Sequence, residues 1–232
     1  MKTKTKKVTK ILVAPSILSA DPLKLEGEAK RMEKAGADLL HVDVMDGKFV
    51  ERTVFGIETA KKLKKATKLP LDVHLMICEP WKVVKEYAKA GASRICVHVE
   101  AGSAQQILKT IKLIKSAGCK AGVAIKPDTP LESIDTRILK ECDFIMPMTV
   151  NPGASGQPLI EEVLLKIARL QVLLYKMKLE KQLEGDGGIN SSTAAWFGRL
   201  GVTVLVSGAG IFHSKYAKRA IMQLRKAAGQ VK

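Results

Sequence analysis

Aromatic residues, cysteine motifs and long apolar runs are all scarce in this chain of 232 residues. Only 4% of the residues are aromatic, which leaves little material for a platform that stacks nucleic-acid bases. The four cysteines, Cys78, Cys96, Cys119 and Cys142, stand far apart without a CxxC pair, so we expect reduced and mostly buried thiols. No apolar run approaches the ~20 residues that a membrane-spanning helix needs. The sequence therefore predicts neither a disulfide-stapled domain nor a membrane protein.

Acidic residues are few relative to basic ones. Thirty-nine Lys and Arg against 23 Asp and Glu give a formal net charge of +16. The basic residues are spread over nearly every predicted helix. With so few aromatics, this distribution is more typical of a solvated basic surface than of a nucleic-acid site. Such a surface would still attract an anionic small molecule.

The chain shows no internal division. Its first nine residues are strongly basic, and the apolar stretch over residues 11–15 is too short for the core of a signal peptide. No linker or low-complexity segment follows. We therefore expect a cytoplasmic protein with a single domain over residues 1–232, of which residues 1–9 are a basic N-terminal extension.

Short runs rich in Val, Ile and Leu alternate eight times with longer stretches whose apolar residues recur at helical spacing. This alternation calls for a parallel sheet with crossover helices, and eight such units close naturally into a (β/α)8 barrel. Two runs are weaker, because Pro147 cannot donate to a sheet and Gly185 weakens a strand interior. The predicted strands are residues 11–16, 39–44, 71–76, 94–99, 120–125, 143–148, 181–186 and 203–208.

One predicted helix carries more apolar residues than a single core-facing stripe requires. Residues 172–179 read VLLYKMKL. The excess either packs in the core, which is the prediction, or faces a partner subunit.

Polar side chains inside predicted barrel strands are informative, because such strands are normally continuous apolar runs. The second strand carries His41 and Asp43, the third carries Asp72 and His74, and the seventh ends on Asp186. Side chains alternate along a strand, so each pair shares one face. All but the deeper His41 and Asp72 lie near carboxyl ends of strands, where barrel active sites are built. Two imidazoles and two carboxylates that converge there suit a divalent ion such as Zn, Fe, Co or Mn.

The alternative is that each of these side chains is a buried polar group with ordinary hydrogen-bond partners. That interpretation is favoured for a lone histidine on an apolar strand, whereas four such residues at one end of three strands favour a metal site. His98, on the fourth strand, is expected to be structural. His213, after the last strand, is expected to be exposed.

Glycine-containing turns follow the last three predicted strands. They read NPGASGQ (151–157), DGGIN (186–190) and SGAGIF (207–212). Glycine lets backbone N–H groups point at phosphate oxygens, and the loops after the seventh and eighth strands are a frequent phosphate site in this fold. Three such turns in consecutive loops favour phosphate binding over the alternative of tight strand-to-helix turns alone.

Several of these segments together resemble the ribulose-phosphate 3-epimerase family. The combination of HVDVMDG with DVHLM is highly specific, and the resemblance extends from about residue 10 to about residue 225. It implies a TIM barrel of the ribulose-phosphate-binding type. The matching segments, in family order and spacing, are APSILSAD (14–21), HVDVMDGKFV (41–50), LDVHLM (71–76), VHVEA (97–101), MTVNPG (148–153) and DGGIN (186–190).

The resemblance also implies roles for individual residues. One divalent metal ion would be held by His41, Asp43, His74 and Asp186, and the two aspartates would double as the acid/base pair, one on each face of the reacting carbon. The implied substrate-binding set comprises Ser16, His74 and Asp186, the methionines Met45, Met76 and Met148, the covering loop with Gly153, Ala154, Ser155 and Gly156, and the phosphate cradle around Gly187, Gly188, Gly208 and Ala209.

The implied reaction is the 3-epimerisation of D-ribulose 5-phosphate to D-xylulose 5-phosphate, a step of carbohydrate metabolism in the pentose phosphate pathway. The metal would polarise the C2 carbonyl and stabilise a cis-enediolate. One aspartate would remove the C3 proton and the other would return a proton to the opposite face. Since family members form dimers and hexamers, a homo-oligomer is expected.

The chain departs from the family pattern at the edges of the site. None of the departures removes a candidate metal ligand. They fall beside the second strand, in the covering loop, in the phosphate cradle and before the second catalytic aspartate. Lys48, Glu51 and Arg52 replace the His, Pro and Asn of the family's usual DGHFVPN. Ala154 and Ser155 replace the Phe and Gly of NPGFGGQ. Ala209 replaces the Ser of a Gly-Ser pair, and Gly185 replaces the Val that usually precedes the aspartate.

Two alternative functions stay open. One is an epimerase that acts on another ketose phosphate, such as allulose 6-phosphate. The other is a barrel with weakened catalysis that serves as a binding or assembly module, as the altered loop and the apolar run 172–179 suggest. Decarboxylase and aldolase relatives of this barrel are disfavoured, because their sites centre on lysine. Lys126, just after the fifth strand, is the lysine to check.

Overall fold

The chain alternates between strands and helices along almost its whole length. The computed structural model describes residues 10–229, so the extension predicted over residues 1–9 lies outside the described residues. None of the described helices is both long and apolar enough to cross a membrane. The strands are β1 (Leu12–Pro15), β2 (Leu40–Asp46), β3 (Thr53–Val54), β4 (Leu71–Met76), β5 (Ala92–His98), β6 (Lys120–Ile125), β7 (Phe144–Pro147), β8 (Gln182–Asp186) and β9 (Val202–Ser207). The helices are α1 (Leu25–Lys34), α2 (Ile57–Ala66), α3 (Val84–Lys89), α4 (Ala104–Ser116), α5 (Thr136–Glu141), α6 (Glu162–Lys176), α7 (Ala194–Arg199), α8 (Ala209–Phe212) and α9 (Ala217–Gly229).

Eight of the strands are parallel and form one curled sheet in the order β1, β9, β8, β7, β6, β5, β4 and β2. The two ends of this sheet meet where Ser16, just after β1, forms a parallel bridge with His41 of β2. This arrangement confirms the predicted (β/α)8 barrel. Every predicted strand is present, with bounds that differ from the prediction by at most two residues.

The short strand β3 has no counterpart in the sequence prediction. It pairs antiparallel with the end of β2. In the connecting turn, the Asp46 carboxylate accepts hydrogen bonds from the backbone N–H groups of Lys48 and Phe49, at 2.9 and 2.8 Å. A strand of two residues leaves no periodic signal, so periodicity could not reveal it.

Alternation along the strands divides side chains between the helices and the barrel interior. In β2, Val42 packs in the main hydrophobic core beneath the helices, whereas His41 and Asp43 face the interior. The register of β2 on β4 places His41 beside Asp72, and it places Asp43 beside His74. The fold therefore brings the polar residues of two strands together without any contribution from a loop.

Side chains fill the barrel interior towards the amino ends of the strands. Phe144 of β7 is fully buried and packs over Gly122 of β6, where a Cβ atom would lie 2.2 Å from its ring. The Arg94 guanidinium covers the same ring, 3.9 Å from its centre. The barrel interior is therefore a packed core and not a pore.

Gly185 and Pro147, the two residues that weaken their predicted strands, both fit the structure. A Cβ atom at position 185 would lie 2.6 Å from the ring of Phe197, so glycine here lets α7 approach the sheet. Pro147 pairs with Ile125 at the end of β7, where the ladder is about to stop and a missing N–H matters least.

The apolar run in α6 is only partly buried. Leu174 packs in the core, but Val172 is 54% exposed and Tyr175 is 85% exposed. Core burial of the whole run 172–179 is therefore wrong for Val172 and Tyr175, because this helix buries one stripe against the sheet. Contact of the exposed face with a partner subunit stays a prediction.

Candidate active site

The four residues expected to bind a metal lie together in the barrel interior, on β2, β4 and β8. Asp43 Oδ1 lies 3.5 Å from His41 Nε2 and 3.4 Å from His74 Nδ1. Asp186 Oδ2 approaches the same two nitrogens at 3.9 and 3.7 Å. One ligand atom from each residue lies within 4.8 Å of the others. The structure thus brings the predicted residues into a single cluster.

Two ring nitrogens in this cluster, His41 Nε2 and His74 Nδ1, lack a hydrogen-bond partner among the described residues. A buried polar atom left without a partner costs about 1–3 kcal/mol, so two of them in one cluster call for an explanation. Both nitrogens face the carboxylates of Asp43 and Asp186. A divalent cation among these atoms would use two nitrogen lone pairs and two carboxylates, so the residues present fit a metal ion.

The electrostatics of the cluster also favour a cation. Burial would lower the pKa of His41, but Asp43 and Asp72 outweigh burial and hold that pKa well above its ordinary value. Burial would raise the pKa of Asp43, but His41 and His74 hold it well below its usual range. Burial raises the pKa of Asp186 to about 7, against the opposing effect of His41. Groups that stabilise a proton on His41 would stabilise a metal cation at the same place.

A second group of polar residues lies deeper in the barrel and supports His41. His41 Nδ1 lies 2.8 Å from Asp72 Oδ2. Arg94 donates from Nε to Asp72 Oδ1 at 2.9 Å and from Nη2 to Glu184. Although His41, Asp72 and Glu184 are close enough to bind an ion, the guanidinium already supplies the positive charge there. We interpret this group as a buried ion-pair network and not as a second metal centre.

Arg94 and Glu184 were not predicted to belong to the site. Both are charged residues inside predicted strands, and both are buried. The same signal that identified His41 would have identified them. Neither stands at the carboxyl end of its strand, where active-site residues are expected.

The cavity above the cluster is lined by residues expected to contact substrate. At its base, Ser16 Oγ donates to Asp43 Oδ2 at 2.6 Å. His41 and His74 lie beneath the lining and are fully buried. The predicted residues that do line the cavity are Ser16, Asp43, Met45, Met76, Met148, Gly153, Ala154, Ser155, Gly156, Asp186, Gly187, Gly188, Gly208 and Ala209. Their contacts with a substrate stay a prediction.

The loop over residues 151–157 covers one side of this cavity and is held by a few hydrogen bonds. The hydroxyl groups of Ser155 and Ser19 bond to each other. Arg52 donates from Nη1 to the backbone oxygen of Gly153, at a long 3.4 Å. Gln157 Nε2 donates to backbone oxygens within the loop. Two of the residues that depart from the family pattern, Arg52 and Ser155, thus tie this loop to its surroundings.

The turn after β8 requires its glycines. Gly187 and Gly188 have positive φ angles of 114° and 62°. A Cβ atom on Gly188 would lie 2.7 Å from the backbone nitrogen of Leu159. A phosphate cradle and a tight connection both need these glycines, so the phosphate role stays a prediction.

Three other residues named from the sequence have clear positions. His98 is buried, as a structural histidine should be, but its Nε2 lies 2.9 Å from Nε2 of the candidate ligand His74. His213 is exposed, as predicted. Lys126 Nζ lies 4.2 Å from the centre of the Phe49 ring and does not line the cavity. The structure therefore gives no support to a lysine-centred reaction.

Comparison with known proteins points to one family. A family model described as the ribulose-phosphate 3 epimerase family matches residues 12–212. The ribulose-phosphate 3-epimerase of Bacillus subtilis (strain 168) is 43% identical over 216 residues, which cover 93% of this chain and 98% of that protein. The chloroplastic ribulose-5-phosphate-3-epimerase of Arabidopsis thaliana is 41% identical over 215 residues, which cover 93% of this chain and 76% of that protein.

Solved structures with lower identity share the fold. The 3-hexulose-6-phosphate synthase of Salmonella typhimurium has a TM-score of 0.65 at 17% identity, covering 95% of this chain and 99% of that chain. A crystal structure of KGPDC from Streptococcus mutans has a TM-score of 0.67 at 13% identity, covering 96% of this chain and 99% of that chain. At such identities the likeness concerns the fold alone.

Proposed function

Because the chain belongs to the ribulose-phosphate 3-epimerase family, we propose that it catalyses the metal-dependent 3-epimerisation of D-ribulose 5-phosphate to D-xylulose 5-phosphate. It is an isomerase that acts on carbohydrates, as its named relatives are. One observation carries the metal-dependent part of the proposal. Two buried imidazole nitrogens lack partners among the described residues and face two carboxylates at the mouth of the barrel.

The four residues of this cluster would hold one divalent ion of Zn, Fe, Co or Mn. When bound, the ion would polarise the C2 carbonyl of the substrate and stabilise the negative charge of an enediolate. His41 and His74 are fully buried, so they would bind the ion without touching the sugar. Asp43 and Asp186 line the cavity, so they would reach both the ion and the substrate.

Asp43 and Asp186 are proposed as the acid/base pair. They project from β2 and β8, which are separated around the barrel by β1 and β9, so the two carboxylates approach the cavity from different sides. One would remove the proton from C3, and the other would return a proton to the opposite face, which inverts C3. Ser16 donates to Asp43 Oδ2 and so fixes the orientation of that carboxylate.

The remaining cavity residues would bind the rest of the substrate. Met45, Met76 and Met148 would wall the sugar, and the loop over residues 151–157 would cover it. The turns at 187–188 and 208–209 would hold the phosphate through backbone N–H groups. The +16 charge of the chain would help to attract this anion.

The test of the proposed function is a turnover experiment in deuterated water with the metal-supplemented protein. We expect D-xylulose 5-phosphate to form from D-ribulose 5-phosphate and the C3 hydrogen to exchange with solvent deuterium. No epimerisation with any of the four metals would contradict the function. Epimerisation without solvent exchange would contradict the two-aspartate mechanism while leaving the reaction intact.

The choice of sugar is tested separately. We expect kcat/KM to be higher for D-ribulose 5-phosphate than for allulose 6-phosphate under the same conditions. The reverse order would assign the same site and mechanism to the larger ketose phosphate.

A further inference from the structure

We infer that His98 and Glu100 are positioning residues that decide which ring nitrogen of His74 is free to bind the metal. Neither of them belongs to the ligand cluster. The inference rests on the proposed metal site, because it concerns how one of its ligands is prepared.

The first step concerns the two nitrogens of His74. Its Nδ1 faces the carboxylates of Asp43 and Asp186, at 3.4 and 3.7 Å. Its Nε2 lies 2.9 Å from Nε2 of His98, and the two rings are stacked with their centres 5.0 Å apart. A hydrogen bond between two ring nitrogens needs one proton, so one ring donates and the other accepts. A metal can bind Nδ1 of His74 only if the proton of that ring is on Nε2.

The local electrostatics oppose this arrangement. Asp43 and Asp186 both favour a proton on His74 Nδ1, where it would donate to a carboxylate and block the metal. An acceptor behind His74 is therefore needed to draw the proton to Nε2. His98 is the group that lies there.

The second step concerns the state of His98. Its Nδ1 lies 3.1 Å from Glu100 Oε2. An ionised carboxylate only accepts hydrogen bonds, so it requires the His98 proton on Nδ1 and leaves Nε2 of His98 as an acceptor. Burial would raise the pKa of Glu100, but hydrogen bonds from His98, Thr129 and the Lys126 backbone lower it to about 2. Glu100 is therefore ionised at neutral pH.

The third step concerns what holds Glu100 in place. Its Oε1 accepts from the backbone N–H of Lys126 at 2.9 Å and from the Thr129 hydroxyl at 2.5 Å. The loop that supplies both donors is held in turn by Lys166 of α6. The Lys166 ammonium donates to the backbone oxygens of residues 126, 127 and 129 at 2.9, 2.5 and 2.7 Å. Because Lys126 and Thr129 both donate to Oε1 of Glu100, its Oε2 is left to face His98.

His41 is oriented in the same way, but a carboxylate contacts its ring directly, without an intervening histidine. His41 Nδ1 bonds to the Asp72 carboxylate directly, which leaves Nε2 free toward the cluster. His74 presents the opposite nitrogen, Nδ1. Its acceptor is a neutral imidazole, so a carboxylate is needed one step further back.

The decisive variant is Glu100→Gln, which keeps the shape of the side chain. The glutamine oxygen would accept from Lys126 and Thr129, so its NH2 group would face His98 Nδ1. That nitrogen would then have to accept, which moves the His98 proton to Nε2 and the His74 proton to Nδ1. Glu132→Gln, at an exposed position, is the matched control.

Two measurements test the inference. Nitrogen-15 NMR of the metal-free proteins at neutral pH should show His74 protonated on Nε2 in the wild type and in Glu132→Gln, and on Nδ1 in Glu100→Gln. Zinc affinity from chelator competition should fall about 10–100-fold in Glu100→Gln and stay unchanged in the control. An unchanged tautomer and affinity in Glu100→Gln would overturn the inference.

Variants at His98 give an independent test. His98→Gln can accept from His74 and donate to Glu100, so it should keep the Nε2–H tautomer of His74 and most of the zinc affinity. His98→Met cannot donate to Glu100 and offers His74 only a weak sulfur acceptor, so it should lose the tautomer and the zinc affinity. If the two variants behave alike, the proposed hydrogen-bond chain from Glu100 through His98 to His74 is wrong. The tautomer of His74 is measured on metal-free protein, so it does not depend on metal binding. A wild-type protein that bound no metal would refute the metal-dependent function, whereas the tautomer measurement would still test the role of His98 and Glu100.

Discussion

The candidate ligands and the loop that covers them occupy the same end of the barrel, but they are held in different ways. His41 and His74 are fully buried on strands. In each ring, the nitrogen that faces away from the ligand cluster contacts a buried partner, Asp72 for His41 and His98 for His74. The loop over residues 151–157 is largely exposed. Apart from contacts within itself, it depends on hydrogen bonds to Ser19 and Arg52.

This difference shows which part of the site can vary. Ligand positions follow from strand register and from buried networks, where a lost partner leaves an unpaired buried group. Loop positions follow from exposed hydrogen bonds, each of which contributes little to stability. Most departures from the family pattern accordingly fall in the loop, in the turn after β2 and in the glycine turn after β9, whereas the four ligands are unchanged. Gly185, buried on β8, is the exception.

The largest expected effect comes from breaking the buried network. Arg94→Met would leave Asp72 and Glu184 buried without their counter-ion, and we expect the free energy of unfolding to fall by about 3–5 kcal/mol. Urea denaturation measures this loss. Arg137→Met is the control, because the Arg137 side chain is 62% exposed and its surface pair with Asp135 contributes little to stability. Equal losses in the two variants would contradict the distinction between buried and exposed regions.

A smaller effect, measured on turnover, is expected when the carboxylates of the cluster are neutralised. Asp43→Asn and Asp186→Asn should each lower kcat by at least ~10²-fold, because each removes a positioned acid or base. Steady-state kinetics with D-ribulose 5-phosphate provide the measurement. Asp143→Asn, at the opposite end of the barrel, should retain activity because asparagine can still accept from the Ala121 N–H. Retention of near wild-type kcat in either cluster variant would remove that aspartate from the mechanism.

The smallest effect is expected in the loop. Ala154→Phe with Ser155→Gly restores the family pattern, and we expect kcat/KM for D-ribulose 5-phosphate to rise. A bulkier loop would exclude water better and hold the substrate more firmly in the closed state. Single variants separate the added ring from the loss of the hydrogen bond between Ser155 and Ser19. No change, or a loss of activity, would favour a loop adapted to another ligand or to assembly.

The barrel and its ligand cluster could be predicted from sequence because both depend on residue patterns that repeat within a single strand or helix. Alternation along β2 and β4 determines which side chains face inward, and parallel pairing brings Asp43 beside His74. The same alternation marks Arg94 and Glu184, but neither stands at the carboxyl end of its strand, and their importance was therefore not predicted.

The parts that escaped prediction depend on contacts between distant segments. Nothing in the sequence around Glu100 indicates that Thr129 donates to it. Nor does the sequence indicate that Lys166 holds the loop that contains Thr129. Gly185 is unfavourable as a strand residue, and only the packing of Phe197 explains it. The exposure of Val172 depends on which stripe of α6 meets the sheet, and an apolar run alone does not determine that.

The most direct test of the metal site is elemental analysis of the purified protein and of two histidine variants. We expect about one divalent ion per chain in the wild type, by analogy with sites of this ligand type. His74→Ala should lose the ion while remaining folded by circular dichroism, and His213→Ala, at an exposed position, should keep it. A wild-type protein that is free of metal and fully active as an epimerase would contradict the account.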